Sequence, residues 1–133
     1  MREPPEPKHL GASDEEAVEL CREWMRYLGA TDAVVAAGES RRVCDLYGSR
    51  YLGWVENKRG NLEVELVERA AAVVAADGRQ GLVFARHGVS PFARVRADEL
   101  AIAIFWFDVQ GGTLDGVNML GRDLLAKATA SPN

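Results

Sequence analysis

The sequence predicts an α/β domain of three layers, a mixed central sheet of about five strands flanked by helices. Three observations point there. Amphipathic helical stripes at 13–28, 62–76 and 116–127 are separated by short apolar runs. Two of those runs, Gly81 to Ala85 and Ala101 to Phe107, are continuously apolar, as strands covered on both faces are. Three short strands follow the first helix, and each later strand is reached through a helix. Right-handed crossovers from such a block put helices on both faces of a mixed sheet.

The first helix opens at Ser13-Asp14-Glu15-Glu16, a capping box with Ser at the cap and Glu three later. Ala17, Leu20, Cys21, Trp24, Met25 and Leu28 form its apolar stripe, and Gly29 stops it. The stripe predicts packing across the sheet through Leu20, Trp24 and Leu28. Ala33 to Ala37 reads as a short strand ended by Gly38. Arg41 to Lys58 reads as a hairpin turning at Gly48-Ser49. Asn61 is placed to cap the second helix, with Leu66, Val67, Ala70, Ala71 and Val74 inward and Asp77-Gly78 at its end. Ser90-Pro91 starts a third helix, with Phe92, Val95 and Leu100 expected inside. Gly111-Gly112 reads as a loop, and the last helix carries Val117, Leu120, Leu124 and Leu125. The element order is therefore helix, three strands, helix, strand, helix, strand, helix.

A chain of 133 residues with 47% hydrophobic content supports one domain with a real core, expected over 13–127. Residues 1–12, rich in proline and charge, read as a flexible tail, and 128–133 as a short C-terminal one. The net charge of −4, from 16 basic and 20 acidic residues, excludes a generic polyanion binder; any nucleic-acid contact needs a local basic patch. Cys21 and Cys44 lie in apolar elements without ligand spacing, so buried free thiols in a reducing compartment are expected. The N-terminus lacks the apolar core of a signal peptide, and no apolar run reaches membrane-spanning length. A soluble, cytoplasmic protein with no membrane partner is the expectation.

The chemistry concentrates in the hairpin. Asp45 sits near the end of its first strand, and Glu56 and Lys58 share a face of the second, because side chains two apart point the same way. If that face looks toward Asp45, two carboxylates and an ammonium converge. Hard divalent ions take carboxylate oxygens, and a nearby cation helps to hold an attacking water. In a chain with 27% charged residues such spacing also arises by chance, and a solvated edge hairpin is the plainer account of the motif alone. His9 in the tail and His87 in the loop after the fourth strand are lone histidines of the kind that are usually solvated. No Walker, GxGxxG, Ser-His-Asp or zinc pattern is present.

Several pieces in this order resemble the PD-(D/E)xK restriction-endonuclease-like superfamily, closest to the Mrr type IV restriction endonucleases. They are the helix Glu19 to Gly29 with its Glu and closing Leu-Gly, Asp45 at the hairpin, Gly88-Val89-Ser90-Pro91-Phe92-Ala93 with Ala97 a turn later, and Ile102 to Asp108. The similarity runs over about 14–127. It implies a restriction-endonuclease-like fold, a Mg²⁺ (or Mn²⁺) site at Asp45 and Glu56 with Glu19 as a further carboxylate, and Lys58 as the catalytic ammonium. It further implies DNA as partner, with Arg41, Arg42, Arg50 and Arg59 on phosphate, and a homodimer to cut both strands.

The departure from the family lies at the chemistry. The family commonly reads Ser-Arg-Tyr, two small or apolar residues, then Gln-x-Lys. Aligned on Ser49-Arg50-Tyr51, this chain has Trp54 in the Gln position and Glu56 in the Lys position. Glu56-Asn57-Lys58 restores an E-x-K two residues later, about 7 Å along the strand. Two readings follow. One is a degenerate nuclease-like domain that binds DNA or a protein partner. The other is an active Mg²⁺-dependent endonuclease using Asp45, Glu56 and Lys58.

Overall fold

The computed structural model describes residues 3–7 and 13–130. Helix α1 covers Asp14–Tyr27, and its capping box forms as expected: the Ser13 hydroxyl accepts from the Glu16 N–H, and the Glu16 carboxylate accepts from the Ser13 N–H. Strand β1 (Val34–Val35) and a 3-10 turn at Gly38–Arg42 lead to β2 (Leu46–Tyr47) and β3 (Tyr51–Glu56). Then come α2 (Val64–Asp77), β4 (Gln80–Ala85), α3 (Pro91–Leu100), β5 (Ala103–Asp108), β6 (Thr113–Gly116) and α4 (Met119–Ala130).

The strands form one six-stranded sheet in sequence order, from β1 to β6. β1, β2 and β3 pair antiparallel, β3, β4 and β5 pair parallel, and β6 returns antiparallel along β5. The two parallel crossovers run through α2 and α3. They cover one face, where Val67 and Ala70 of α2 and Ala93 and Ala97 of α3 pack on Trp54, Val83, Ala85, Ile102 and Ile104. The other face carries α1 and α4, with Leu20, Trp24 and Met25 among Leu46, Leu82, Phe84, Phe105 and Phe107. Strand residues alternate between these two cores, which is why the central strands read as continuous apolar runs. The mixed sheet, the three layers and the packing of α1 through Leu20, Trp24 and Leu28 are as the sequence predicts.

Four details differ. The sheet has a sixth strand, β6, in a segment expected to be loop, so α4 begins at Met119 instead of near 116. Its start is set by Asn118, which is fully buried and whose amide oxygen accepts from the Ile104 and Gly121 N–H groups. Asn61 does not cap α2; its side chain lies against Gly88, and Leu62 bridges in parallel to Val89 before the helix starts. On α3, Phe92 is 81% and Val95 52% exposed, and the inward positions are Ala93 and Ala97. Small residues let α3 approach the sheet closely. At the N-terminus, Pro5 is buried and Pro7 packs against Gly112, while 1–2 and 8–12 of the expected tail, His9 included, lie outside the described residues, as do 131–133. No helix among the described residues is long and apolar enough to cross a membrane.

Candidate functional site

The hairpin is held from below by α1 and from the side by the turn before β1. Gly53 on β3 faces Leu46 and the Met25 sulfur, and a Cβ there would meet both at about 3 Å, so glycine lets α1 sit close. Asp32 accepts from the Ser49 N–H at 2.9 Å and fixes the turn; these hydrogen bonds lower its pKa. Asp45 lies one residue before β2. Its own N–H donates to the Gly53 carbonyl, which sets it opposite Trp54 and puts its side chain on the face of Trp54 and Glu56.

That face opens into a cleft of about 410 Å³ lined by Asp45, Trp54, Glu56, Lys58, Arg41 and Arg42, with Leu66 and Arg69 from α2 closing it. Both oxygens of the Asp45 carboxylate are hydrogen-bonded. One oxygen accepts from the Val55 N–H at 2.8 Å, replacing a main-chain acceptor where β2 has run out, and the other accepts from Arg41 Nε at 3.0 Å. Arg41 in turn donates to Glu15 at 2.8 Å. Trp54 is buried beneath, its indole N–H donating to the Val43 carbonyl at 2.9 Å. Glu56 is bent back on its own chain, accepting from the Lys58 N–H at 3.4 Å. Arg42 is only loosely paired with Glu39, at 3.8 Å. Among the described residues, no carboxylate pairs with the side chain of Lys58 or Arg69.

Of the residues that the sequence singles out, this cleft gathers Asp45, Glu56, Lys58, Arg41 and Arg42. Glu19 does not line it; it is exposed on α1 and paired with Arg22 at 2.8 Å. The α1 carboxylate that reaches the site is Glu15, one turn earlier and through Arg41. Arg50 stands at the turn with its guanidinium 5.7 Å from the Tyr51 ring centroid, and Arg59 is exposed beyond β3. Arg69 is the lining residue that the sequence reading missed. It lies three residues after Leu66, which places it on the same side of α2, and that spacing was the available signal.

The donor set fits a hard cation poorly. The Arg41 guanidinium already pairs with Asp45, where a cation would compete with it, and the indole of Trp54 has no lone pair to offer. Among the described residues, no group of three or more His, Cys, Asp and Glu side chains is placed to hold a metal ion. The thiols do not substitute. Burial, and then the charge of Asp45, push both Cys21 and Cys44 above the ordinary thiol pKa, so neither offers a thiolate near neutrality. What the cleft does offer is a cationic rim over a carboxylate held in place by Arg41 and the Val55 N–H. Compared with protein-family models, with curated proteins and with solved structures, the chain matches none.

Proposed function

We propose that this chain is a nuclease-like domain of the Mrr-related kind that holds a DNA backbone in the Asp45–Glu56 cleft and does not cut it. The lining of that cleft carries the reading. Arg41, Arg42, Lys58 and Arg69 converge on it in a chain whose net charge is −4, so the basic patch that nucleic-acid binding requires is local. Arg41 is anchored by Asp45 and Glu15, which presents a fixed guanidinium. Lys58 and Arg69 lack carboxylate partners among the described residues and are available to phosphate.

The case against cleavage rests on the same residues. Phosphodiester hydrolysis by this superfamily needs a metal and a lysine to stabilise developing charge, and such electrostatic preorganisation is usually the largest catalytic contribution. Here a buried indole and a carboxylate occupy the positions that the family gives to Gln and Lys. An active Mg²⁺ endonuclease is the second reading, favoured by Lys58 lining the same cleft as Asp45 and Glu56. A homodimer or a protein partner is a further role for such a domain.

The test pairs binding with cutting. Fluorescence anisotropy with a labelled duplex should show modest affinity that falls with salt, with a log–log slope of about −3 to −4 for about four phosphate contacts. Arg69→Ala should weaken binding to all sequences and lower the slope by about one. Supercoiled plasmid with Mg²⁺ or Mn²⁺ should remain intact. Robust nicking that is abolished by Asp45→Ala and by Lys58→Ala would replace this reading with the endonuclease one. Salt-insensitive or absent binding would remove both.

A further inference from the structure

We propose that the cleft beyond the ends of β4 and β5 is a second site, which takes an unpaired nucleobase stacked on Trp106. The proposal rests on the nucleic-acid reading of the first cleft. This second cleft, of about 600 Å³, is lined by Arg86, His87, Val89, Trp106, Asp115 and Val117. It lies at the carboxyl ends of two parallel strands, where open α/β sheets leave a crevice.

Trp106 is the observation that needs an explanation. Its neighbours Ile104, Phe105 and Phe107 are completely buried, yet Trp106 is 37% exposed. Its indole N–H donates to the Arg86 carbonyl at 2.8 Å, which fixes the ring across the end of β4 and satisfies its polar atom. With its one polar side-chain atom satisfied, what the side chain leaves exposed is carbon. Val89 and Val117 supply apolar walls, a fit for a flat ring. Asp115 stands directly opposite Trp106 on β6, and His87 lines the same cleft. Neither side chain has a hydrogen-bond partner among the described residues, so both are free to meet the polar edge of a base. Every base has a π face, and stacking on an aromatic side chain is a sequence-tolerant way to hold one.

The register links the two sites. Glu56, Ala85 and Trp106 are successive cross-strand partners, and Trp54, Glu56 and Trp106 share one face of the sheet. Two strand spacings, about 10 Å, separate Glu56 from Trp106. A strand whose phosphate sits in the first cleft therefore brings a nearby base to the second. Bases inside a duplex are stacked on one another and cannot reach it, so the ligand is a single strand or a splayed-out nucleotide.

Trp24 is buried and Trp54 lines the first cleft, so the part of the ligand-dependent quenching that Trp106→Phe abolishes reports on Trp106. The probes are a short oligothymidylate, an abasic oligonucleotide of the same length and a blunt duplex. Oligothymidylate should quench the emission and bind more tightly than the abasic strand. Trp106→Ala should weaken oligothymidylate roughly 10- to 100-fold and leave the abasic strand and duplex unchanged, while Trp106→Phe retains most of the affinity. The oligothymidylate–abasic comparison uses the unaltered chain, so it holds even if Trp106→Ala fails to fold. Equal binding of the two strands, or an unaffected Trp106→Ala, overturns the proposal; if Arg69→Ala still weakens binding, the reading of the first cleft survives. Failure to bind any of the three probes sinks both. A dimer in sedimentation that Trp106→Phe or Trp106→Ala converts to monomer would assign this face to a second copy of the chain and also overturn the proposal.

Discussion

Asn118 shows how one side chain can hold two elements. Its amide accepts from the Ile104 and Gly121 N–H groups and donates to the Ile102 carbonyl at 2.7 Å, all in a fully buried position. Asn118→Ala leaves three buried backbone groups unpaired, each costing about 1–3 kcal/mol. Urea unfolding should show a loss of at least about 3 kcal/mol, a large share of the stability of a domain this size. Nothing in the sequence marks this residue, because an Asn two positions after a glycine looks like part of an ordinary turn. Asp45 is the opposite case: spacing from Glu56 made it visible as a candidate. The sequence could not show that both its oxygens would be taken, since the Val55 N–H becomes an orphan only where β2 ends. The partner of Arg41 was likewise hidden. The charged flank of α1 offers Glu15 and Glu19 alike, and only in the folded chain does Glu15 meet Arg41 while Glu19 pairs with Arg22.

Among the elements, α1 was the most legible because its cap, stripe and stop all agree. Its first turn also carries Glu15, so the cap bears on the cleft. Ser13→Ala removes the acceptor for the Glu16 N–H and should cost about 1 kcal/mol by thermal or urea unfolding, with the fold retained. Fraying of that turn should loosen Arg41 and weaken the proposed DNA binding more than an equally destabilising change at the far end of the helix. α3 was misread for a physical reason. Phe92 and Val95 attract an inward assignment by their size, yet close packing of this helix on the sheet requires small residues, and the buried pair is Ala93 and Ala97. β6 was missed because Thr113–Gly116 is short and polar on its outer side. Only pairing with β5 makes it a strand. The parallel core strands were readable because burial on both faces leaves an unbroken apolar run.

For the whole molecule, the charge distribution sets how stability responds to pH. On the acid side, Asp77 is held down to about 2 by the Arg79 guanidinium, Glu68 is lowered by Arg96, and Asp32 is lowered by the Ser49 hydrogen bonds. Each folded pKa lies below its unfolded value. The stability these groups supply is therefore complete above the ordinary carboxylate range, about 4, and is lost as pH falls through the folded values. On the alkaline side the sign reverses. Burial raises the pKa of Cys21 and Cys44, so the unfolded chain ionises first and stability falls as pH rises past about 8.5. Thermal melts should thus show a plateau between about pH 5 and pH 8, with a decline on each side. The limbs can be separated. Asp77→Asn should flatten the decline between about pH 4 and pH 2 without moving the alkaline limb, and the exposure of this pair keeps the effect small. Cys21→Ala should lower stability throughout, through the lost packing of a fully buried side chain, while reducing the slope above pH 8.5. An alkaline slope identical to that of the unaltered chain would show that the buried thiol does not titrate on unfolding in this range.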